Sequence, residues 1–153
     1  MVTERKRGMK MQDRYLFKAK RKDNGEWVEG FYFCMTHTDG RHTHHFIIPL
    51  GADLSLGTPV EKIQVEVDQS TICQCTGLKD KNGKLIWEND VCDRKEEYPE
   101  IVKYNKGDWT LDYSYSKDRE SGYCYCNLGF YVLERKCVEV IGNVFDNPEL
   151  LEV

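Results

Sequence analysis

One stretch, residues 71–93, constrains the fold more than any other part of the sequence. It reads TICQCTGLKDKNGKLIWENDVCD, in which two runs of β-forming residues flank Asn82-Gly83 and an acidic step leads into a third run. Asn-Gly between β-formers is the strongest short-range hairpin signal, because both central residues of a two-residue turn need positive φ. We therefore predict a hairpin here, with Ile86 and Val91 in the core.

The remaining residues of this stretch have structural explanations. Gly77 suits a backbone bend, and Asp80 can accept hydrogen bonds from the turn that follows it. Asp90 can accept backbone N–H bonds in the turn of residues 88–90, and Trp87 lies on the opposite face from Ile86 by strand alternation. The stretch therefore indicates a fold and not an active site.

Short strands and tight turns are predicted along the rest of the chain. Asp23-Asn24-Gly25 joins strands at 14–20 and 26–34, and a polar, turn-rich region with a short strand at 46–50 occupies residues 35–59. Asn147 and Pro148 begin a single helical turn near the end. Further strands are predicted at 61–67, 90–93, 100–104, 109–115, 123–126, 130–135 and 138–145. The pattern indicates a mainly β protein with little helix, built as a small barrel or sandwich.

Charge is divided unevenly along the 153 residues, whose formal net charge is −4. Residues 1–22 carry nine Lys or Arg against two acidic residues, a balance of +7, and the remaining chain carries 13 basic and 24 acidic residues, a balance of −11. A basic arm of this kind can reach a nucleic acid or an acidic partner. The alternative is a solvated tail followed by an outward strand face that bears Lys18, Lys20 and Lys22.

Two groups of residues have the chemistry of metal ligands. His42 and His44 share a face of an extended segment, with His45, His37 and Asp39 nearby, and could converge on a divalent ion. The motifs Cys73-x-Cys75 and Cys124-x-Cys126 would each present two thiols on one strand face. A solvated loop explains the histidines equally, and buried cysteines pack as small hydrophobes. We expect no metal and no other cofactor.

Catalytic and export signals are missing from the sequence. It has no G-x-S-x-G elbow, phosphate loop or dinucleotide fingerprint, so we expect a protein that is not an enzyme. No apolar run approaches the ~20 residues that span a bilayer, and the basic N-terminus has no apolar segment behind it. The seven cysteines then indicate reduced thiols in a soluble, cytoplasmic protein.

Aromatic residues offer a better case for recognition. Tyr104, Trp109, Tyr113 and Tyr115 lie around the turn at residues 105–108, and small barrels bind peptides or single-stranded nucleic acid through such residues. The same strand face could instead belong to the core. The candidate binding residues are Lys18, Lys20, Tyr104, Trp109 and Tyr113.

Three segments carry a family resemblance: RYLFKAKRKDNGEWVEGF from Arg14, TGLKDKNGKLIWENDVC from Thr76 and EVIGNVFDNPELLEV from Glu139. Together they resemble the YopX family, small proteins encoded largely by bacteriophages and prophages. The resemblance implies an SH3-type small barrel at about residues 65–145, with N-terminal β-hairpin strands packed beside it, in a bacterial host cytoplasm. It implies no known activity or site residues.

These observations lead to one expectation and one alternative. We expect a flexible basic lead at 1–10, a hairpin region at 11–64 and a barrel at 65–153. We expect a non-enzymatic phage or prophage accessory protein that acts through protein contacts, self-association included. The alternative is a nucleic-acid-binding small barrel that uses the basic arm and the aromatic face.

Overall fold

The computed structural model describes residues 12–53, 55–116 and 125–152. The strands of these residues form two antiparallel sheets. The first sheet has the order β4-β3-β2-β1-β5-β6, with β1 Phe17–Lys20, β2 Trp27–Thr36, β3 Thr43–Pro49, β4 Val65–Glu66, β5 Cys73–Lys79 and β6 Leu85–Trp87. The second has the order β10-β9-β8-β7-β11, with β7 Asp90–Asp93, β8 Glu100–Asn105, β9 Asp108–Asp112, β10 Tyr125–Asn127 and β11 Glu139–Asn143.

The prediction of a mainly β protein with little helix is confirmed, and the observed architecture is two open antiparallel sheets. Strands from both sides of the expected division at residue 64 share the first sheet, since β4 pairs with β3 and β5 pairs with β1. The expected basic lead at 1–10 lies outside the described residues. No helix among the described residues is long and apolar enough to cross a bilayer.

Helical structure is confined to single turns. Four are 3₁₀ turns, and the fifth is π-helical; their bounds are Asp13–Tyr15, Val60–Lys62, Gln69–Thr71, Pro148–Leu151 and, for the π turn, Phe130–Glu134. The strand predicted at 130–135 is therefore wrong. Asn127 Oδ1 accepts the Phe130 N–H at 2.7 Å and so starts a helical turn, while Tyr131 and Val132 pack on the core. Pro148 begins its turn as predicted, but the Asn147 side chain does not cap it.

Both predicted glycine-directed hairpins form, but the turn at Asn82-Gly83 differs from the prediction. Gly83 has φ +83° and Asn82 does not have positive φ. The Asp80 carboxylate explains this, because its Oδ1 accepts the N–H groups of Asn82 and Lys84, each at 2.9 Å, and stabilises a longer turn. The two-residue turn with positive φ at both positions lies between β8 and β9, at residues 106 and 107.

The Asp80 side chain also connects its hairpin to the last strand of the second sheet. Its Oδ2 accepts the Val140 N–H at 3.0 Å. Burial alone would raise the pKa of Asp80, but the three backbone N–H groups of Val140, Lys84 and Asn82 outweigh it and hold the pKa below its usual value. The predicted capping role is confirmed, and the contact with β11 adds a long-range connection.

Successive side chains of β6 point to opposite faces and so belong to two different core clusters. Ile86 is fully buried in a cluster with Val102, Leu111 and Leu128, whereas Trp87 packs with Cys73 and Cys75 on the other face. A third cluster of Ala19, Ile47 and Val67 lies in the first sheet. The predicted burial of Ile86 and Val91, and the opposite placing of Trp87, are confirmed.

Gly30 is the last residue of β2 that pairs with β1. Because it has no side chain, the backbone of β3 can approach it closely. A Cβ added there would lie 1.9 Å from the Ile48 carbonyl oxygen, which is backbone and cannot rotate away. We predict that Gly30→Ala lowers the free energy of unfolding by about 2 kcal/mol or more, as overpacking of a tight site does. Urea denaturation followed by circular dichroism measures the loss.

Gly129→Ala is the matched control for this substitution. Gly129 has helical φ and ψ, and an added Cβ would contact only the Asn127 side chain at 3.4 Å. The control should leave the urea midpoint almost unchanged. Equal midpoints for the two variants would contradict the close approach at Gly30.

Candidate functional site

The hairpin of β2 and β3 extends well beyond the rest of its sheet. Strand β1 pairs with β2 only at Trp27–Gly30, so the next six residues of β2 pair with β3 alone. Strand β4 pairs with β3 only at Phe46 and Ile47. We call residues 31–36 of β2 and 43–48 of β3 the ribbon. A two-stranded ribbon of this kind has marginal stability in water by itself.

One face of the ribbon is apolar, and we call it the apolar ribbon face. It consists of Phe31, Phe33, Met35, Phe46 and Ile48, which alternate along the two strands, and His44 lies opposite Met35 at the tip end of the same face. The rings of Phe33 and Phe46 stack with centroids 5.3 Å apart, while Phe31 and Met35 remain 39% and 50% exposed. Contiguous exposed apolar side chains on a monomer commonly mark an interaction site.

The histidines lie at the tip of the ribbon. His37 contacts both His42 and His44, with ring centroids 5.9 Å and 5.2 Å apart, so the predicted sharing of a face is confirmed. Each ring also has an oxygen neighbour elsewhere: His42 Nδ1 lies 3.2 Å from Asp39, and His44 Nδ1 lies 2.9 Å from Glu66. His45, on the opposite face, lies 2.8 Å from the Tyr32 hydroxyl. Among the described residues, no group of three or more His, Cys, Asp or Glu is arranged to hold a metal ion.

The two cysteine motifs do not lie on neighbouring strands. Cys73 and Cys75 are buried on β5 in the first sheet, and Cys126 is on β10 in the second sheet. Burial raises the pKa of Cys73 to about 11, which keeps its thiol protonated at neutral pH. Cys124 lies outside the described residues. The arrangement favours packing over thiolate ligation.

A cleft of about 490 Å³ opens between the two sheets, and Lys18 lines it. Lys18 Nζ donates to Asp90 Oδ1 at 3.4 Å, and lies 5.0 Å and 5.3 Å from the ring centroids of Trp27 and Trp87. The side chains of Lys18 and Asp90 are only 13% and 3% exposed. The pair therefore joins β1 of the first sheet to β7 of the second.

The Asp90 carboxylate is held by both backbone and side-chain donors. Its Oδ2 accepts the Trp87 N–H at 2.9 Å, which confirms the predicted role in this turn. Burial raises the pKa of Asp90 above its usual value, although Lys18 and the Trp87 N–H both act to lower it. A buried carboxylate of this kind depends on its cationic neighbour.

Lys20 is held in the same way on the same face of β1. Its Nζ donates to Asp146 Oδ1 at 2.6 Å, and Trp27 Nε1 donates to Oδ2 of the same carboxylate at 2.6 Å. The hydrogen bond from Lys20 is the largest of the interactions that lower the pKa of Asp146, which falls to about 2. The two lysines predicted as binding residues thus serve as contacts between parts of the fold.

The three predicted aromatic residues lie on and just after the β8–β9 hairpin. Tyr104 and Trp109 are opposite each other across the hairpin, with ring centroids 5.1 Å apart in an edge-to-face arrangement. Trp109 packs against the core cluster that contains Leu111, and Tyr104 is exposed. Tyr113 is half-buried after the end of β9. The core interpretation of this strand face fits Trp109 and Leu111. The ammonium groups of Lys18 and Lys20 lie over the rings of Trp27 and Trp87.

Sequence reasoning missed the apolar ribbon face. It predicted the strand at 26–34 but treated Phe46 as part of a short, separate strand in a loop region. The available signal was FYFCM at residues 31–35, which is apolar at every position and therefore gives neither face of β2 a polar side. The pairing of β2 with β3 across a polar turn could not be read from alternation alone.

The Lys18–Asp90 pair yields a stability prediction. Lys18→Met should lower the free energy of unfolding by about 3 kcal/mol at pH 7, because it leaves a buried carboxylate without its cation. The pKa of Asp90 in the folded chain lies above the usual 3.8, so the folded chain binds a proton at this carboxyl group more tightly than the unfolded chain does. Asp90 therefore stabilises the fold most at low pH, and this contribution is lost as pH rises through the folded-state pKa. Loss of Lys18 raises this pKa further, so the deficit should shrink as pH falls toward 4. Urea unfolding at several pH values measures it.

The double variant Lys18→Met/Asp90→Asn provides the control. It removes both charges and should recover part of the stability lost by Lys18→Met alone. A deficit of the same size at pH 4 and pH 7, with no recovery in the double variant, would assign the loss to packing of the lysine stem.

Comparison with known proteins places the chain in a family. Its crystal-structure relatives include protein EF1440 from Enterococcus faecalis, with 26% identity, a TM-score of 0.50, and coverage of 88% of this chain and 96% of that one. Protein yopX from Bacillus subtilis shares the fold with 18% identity, a TM-score of 0.50, and coverage of 92% and 98%. No curated protein matches the sequence. The family model described as YopX protein matches residues 16–152, and the chain belongs to the YopX family.

Proposed function

We propose that this protein is a non-enzymatic accessory protein that acts through protein–protein contacts, self-association included, at the apolar ribbon face. The observation that carries the proposal is the ribbon itself, whose exposed Phe31 and Met35 flank the stacked Phe33 and Phe46 beyond the edge of the folded sheet. Aromatic and Met side chains are enriched where proteins bind one another.

The energetics of the ribbon support this proposal. Beyond Gly30 no strand of the described residues pairs with the β2 side of the ribbon, and β4 pairs with its β3 side only at Phe46 and Ile47. A ribbon with so little support from other strands has marginal stability. A partner that covers Phe31, Phe33 and Met35 would remove apolar area from water and stabilise the ribbon. A partner would therefore gain free energy from the apolar area that it buries and would stabilise the ribbon at the same time.

The nucleic-acid alternative has less support from the described residues. Lys18 and Lys20 would have to leave Asp90 and Asp146 before they could contact phosphate. Trp109 packs against the core, which removes one face from base stacking. Phosphate contacts dominate nucleic-acid affinity, so lysines already held by carboxylates contribute little to it.

The wider setting follows from the family resemblance and remains part of the proposal. We infer a phage-related origin and action in the cytoplasm of a bacterial host. Closure of residues 65–145 into an SH3-type barrel belongs to the same proposal, and the second sheet would supply most of its strands.

The test compares two double variants of the tagged protein in a lysate of the bacterium that carries the gene. Phe31→Ser/Met35→Ser changes the apolar ribbon face and should lose most of the captured protein. The measurement is quantitative mass spectrometry of the captured fraction relative to wild type, with circular dichroism to show that each variant folds.

Leu56→Ser/Leu133→Ser is the matched control, since both leucines are more exposed than Met35 and lie outside the ribbon. It should capture what the wild type captures. If the two double variants capture the same proteins in the same amounts, the apolar ribbon face is not the contact surface and the proposal is wrong.

A further inference from the structure

The ribbon has an open backbone edge as well as an apolar face. The Glu29 carbonyl accepts from Leu50 N at 2.9 Å, and His37 N donates to the His42 carbonyl at 2.8 Å, so these odd-numbered residues direct their backbone groups toward β3. Backbone groups alternate along a strand, which directs those of Tyr32, Cys34 and Thr36 to the opposite side. Beyond Gly30 no strand of the described residues lies on that side. Three N–H and three C=O groups are therefore open to pairing.

Residues 31–36 carry none of the features that protect such edges. The sequence FYFCMT contains no charged residue, no proline and no glycine, and β2 has no register shift against β3. Natural proteins place charges, prolines or bulges on exposed edges to prevent pairing with another chain. An unprotected edge on a ribbon whose face is apolar is suited to pairing.

We propose that this open edge pairs antiparallel with the same edge of a second copy of the chain. The inference deepens the proposed function, since it names the partner of the ribbon. Two-fold symmetry requires a register in which one residue faces itself. Centred on Cys34, the register places Tyr32 opposite Thr36 of the second copy, and all three open residues of each edge are paired.

The neighbouring symmetric registers satisfy fewer backbone groups. Centred on Phe33, the register would pair Tyr32 with Cys34 but would place Thr36 opposite Gly30, which is already paired with Phe17 of β1. Centred on Met35, it would pair Cys34 with Thr36 but would place Tyr32 opposite Thr38, beyond the end of β2. Buried backbone groups without partners are costly, so the register centred on Cys34 is favoured.

The favoured register also joins the two apolar ribbon faces. It places Phe33 of one copy beside Met35 of the second, a sulfur–aromatic contact, and the six apolar side chains of the two β2 strands form one surface. The Cys34 residues face each other as a hydrogen-bonded pair, with Cα atoms about 5.5 Å apart. The Cys34 thiol is exposed in the single chain and reports directly on this arrangement.

Light scattering on the purified full chain tests the pairing. The wild type should have twice the mass of the 18.0 kDa chain at micromolar concentration. Cys34→Pro should be a folded monomer, because the lost N–H points away from β3 and proline is tolerated at such an edge position. Cys34→Ser keeps the N–H and should remain a dimer.

Chemical crosslinking tests the register. A short bismaleimide should link the wild type covalently into dimers, whereas Cys34→Ser should lose most of that product although its mass by light scattering stays doubled. Cys73, Cys75 and Cys92 are buried and should not react in the folded chain. A dimer that crosslinks equally well in Cys34→Ser would overturn the register.

The outcomes separate this inference from the proposed function. A wild type that is monomeric when pure, or a Cys34→Pro variant that keeps the doubled mass, overturns the self-pairing. If the capture experiment still depends on Phe31 and Met35, the edge then belongs to a different protein and the proposed function stands. If Cys34→Pro abolishes the dimer but Phe31→Ser/Met35→Ser captures the same proteins as the wild type, the self-pairing stands and the proposed function is wrong.

Discussion

The short strand β1 determines how the rest of the structure is arranged. All four of its residues pair with β2 on one side, Phe17 and Lys18 pair with β5 on the other, and Ala19 is fully buried. On the other face Lys18 and Lys20 reach Asp90 and Asp146, which belong to the C-terminal half of the chain. One strand thus organises the first sheet and attaches it to the second.

The shortness of β1 also exposes the ribbon. The chain before Phe17 forms a 3₁₀ turn at Asp13–Tyr15, so β1 cannot continue along β2. Strand β2 has ten residues and extends six residues beyond the last one that pairs with β1. The same constraint that joins the two halves of the protein therefore leaves both the apolar ribbon face and an uncharged strand edge exposed.

Local sequence signals predicted the parts of the fold that depend on neighbouring residues. The hairpin at Asp80–Lys84, the burial of Ile86 and the turn role of Asp90 follow from turn chemistry and alternation, which act over a few residues. The turn geometry at Asn82 was mispredicted because the Asp80 side chain adds hydrogen bonds that residue preferences do not include.

The features that could not be predicted from the sequence depend on contacts between residues far apart in the chain. The roles of Lys18 and Lys20 depend on carboxylates 72 and 126 residues away, and no pattern within β1 identifies those partners. Likewise, an apolar run such as FYFCM indicates burial, yet only the end of β1 at Phe17 shows that the run is left exposed. For Phe130–Glu134, a short apolar segment fits strand and helix equally until its tertiary contacts are known.

Hydrogen exchange at single amides, followed by NMR over a range of protein concentrations, measures whether the open edge of β2 pairs with a second copy of the chain. The amides of Phe31, Phe33 and Met35 bond to β3 and should be protected at every concentration. Those of Tyr32, Cys34 and Thr36 should exchange fast in dilute protein and become protected as concentration rises. Fast exchange of these three amides at all concentrations would show that the edge stays open and that two copies do not pair through β2.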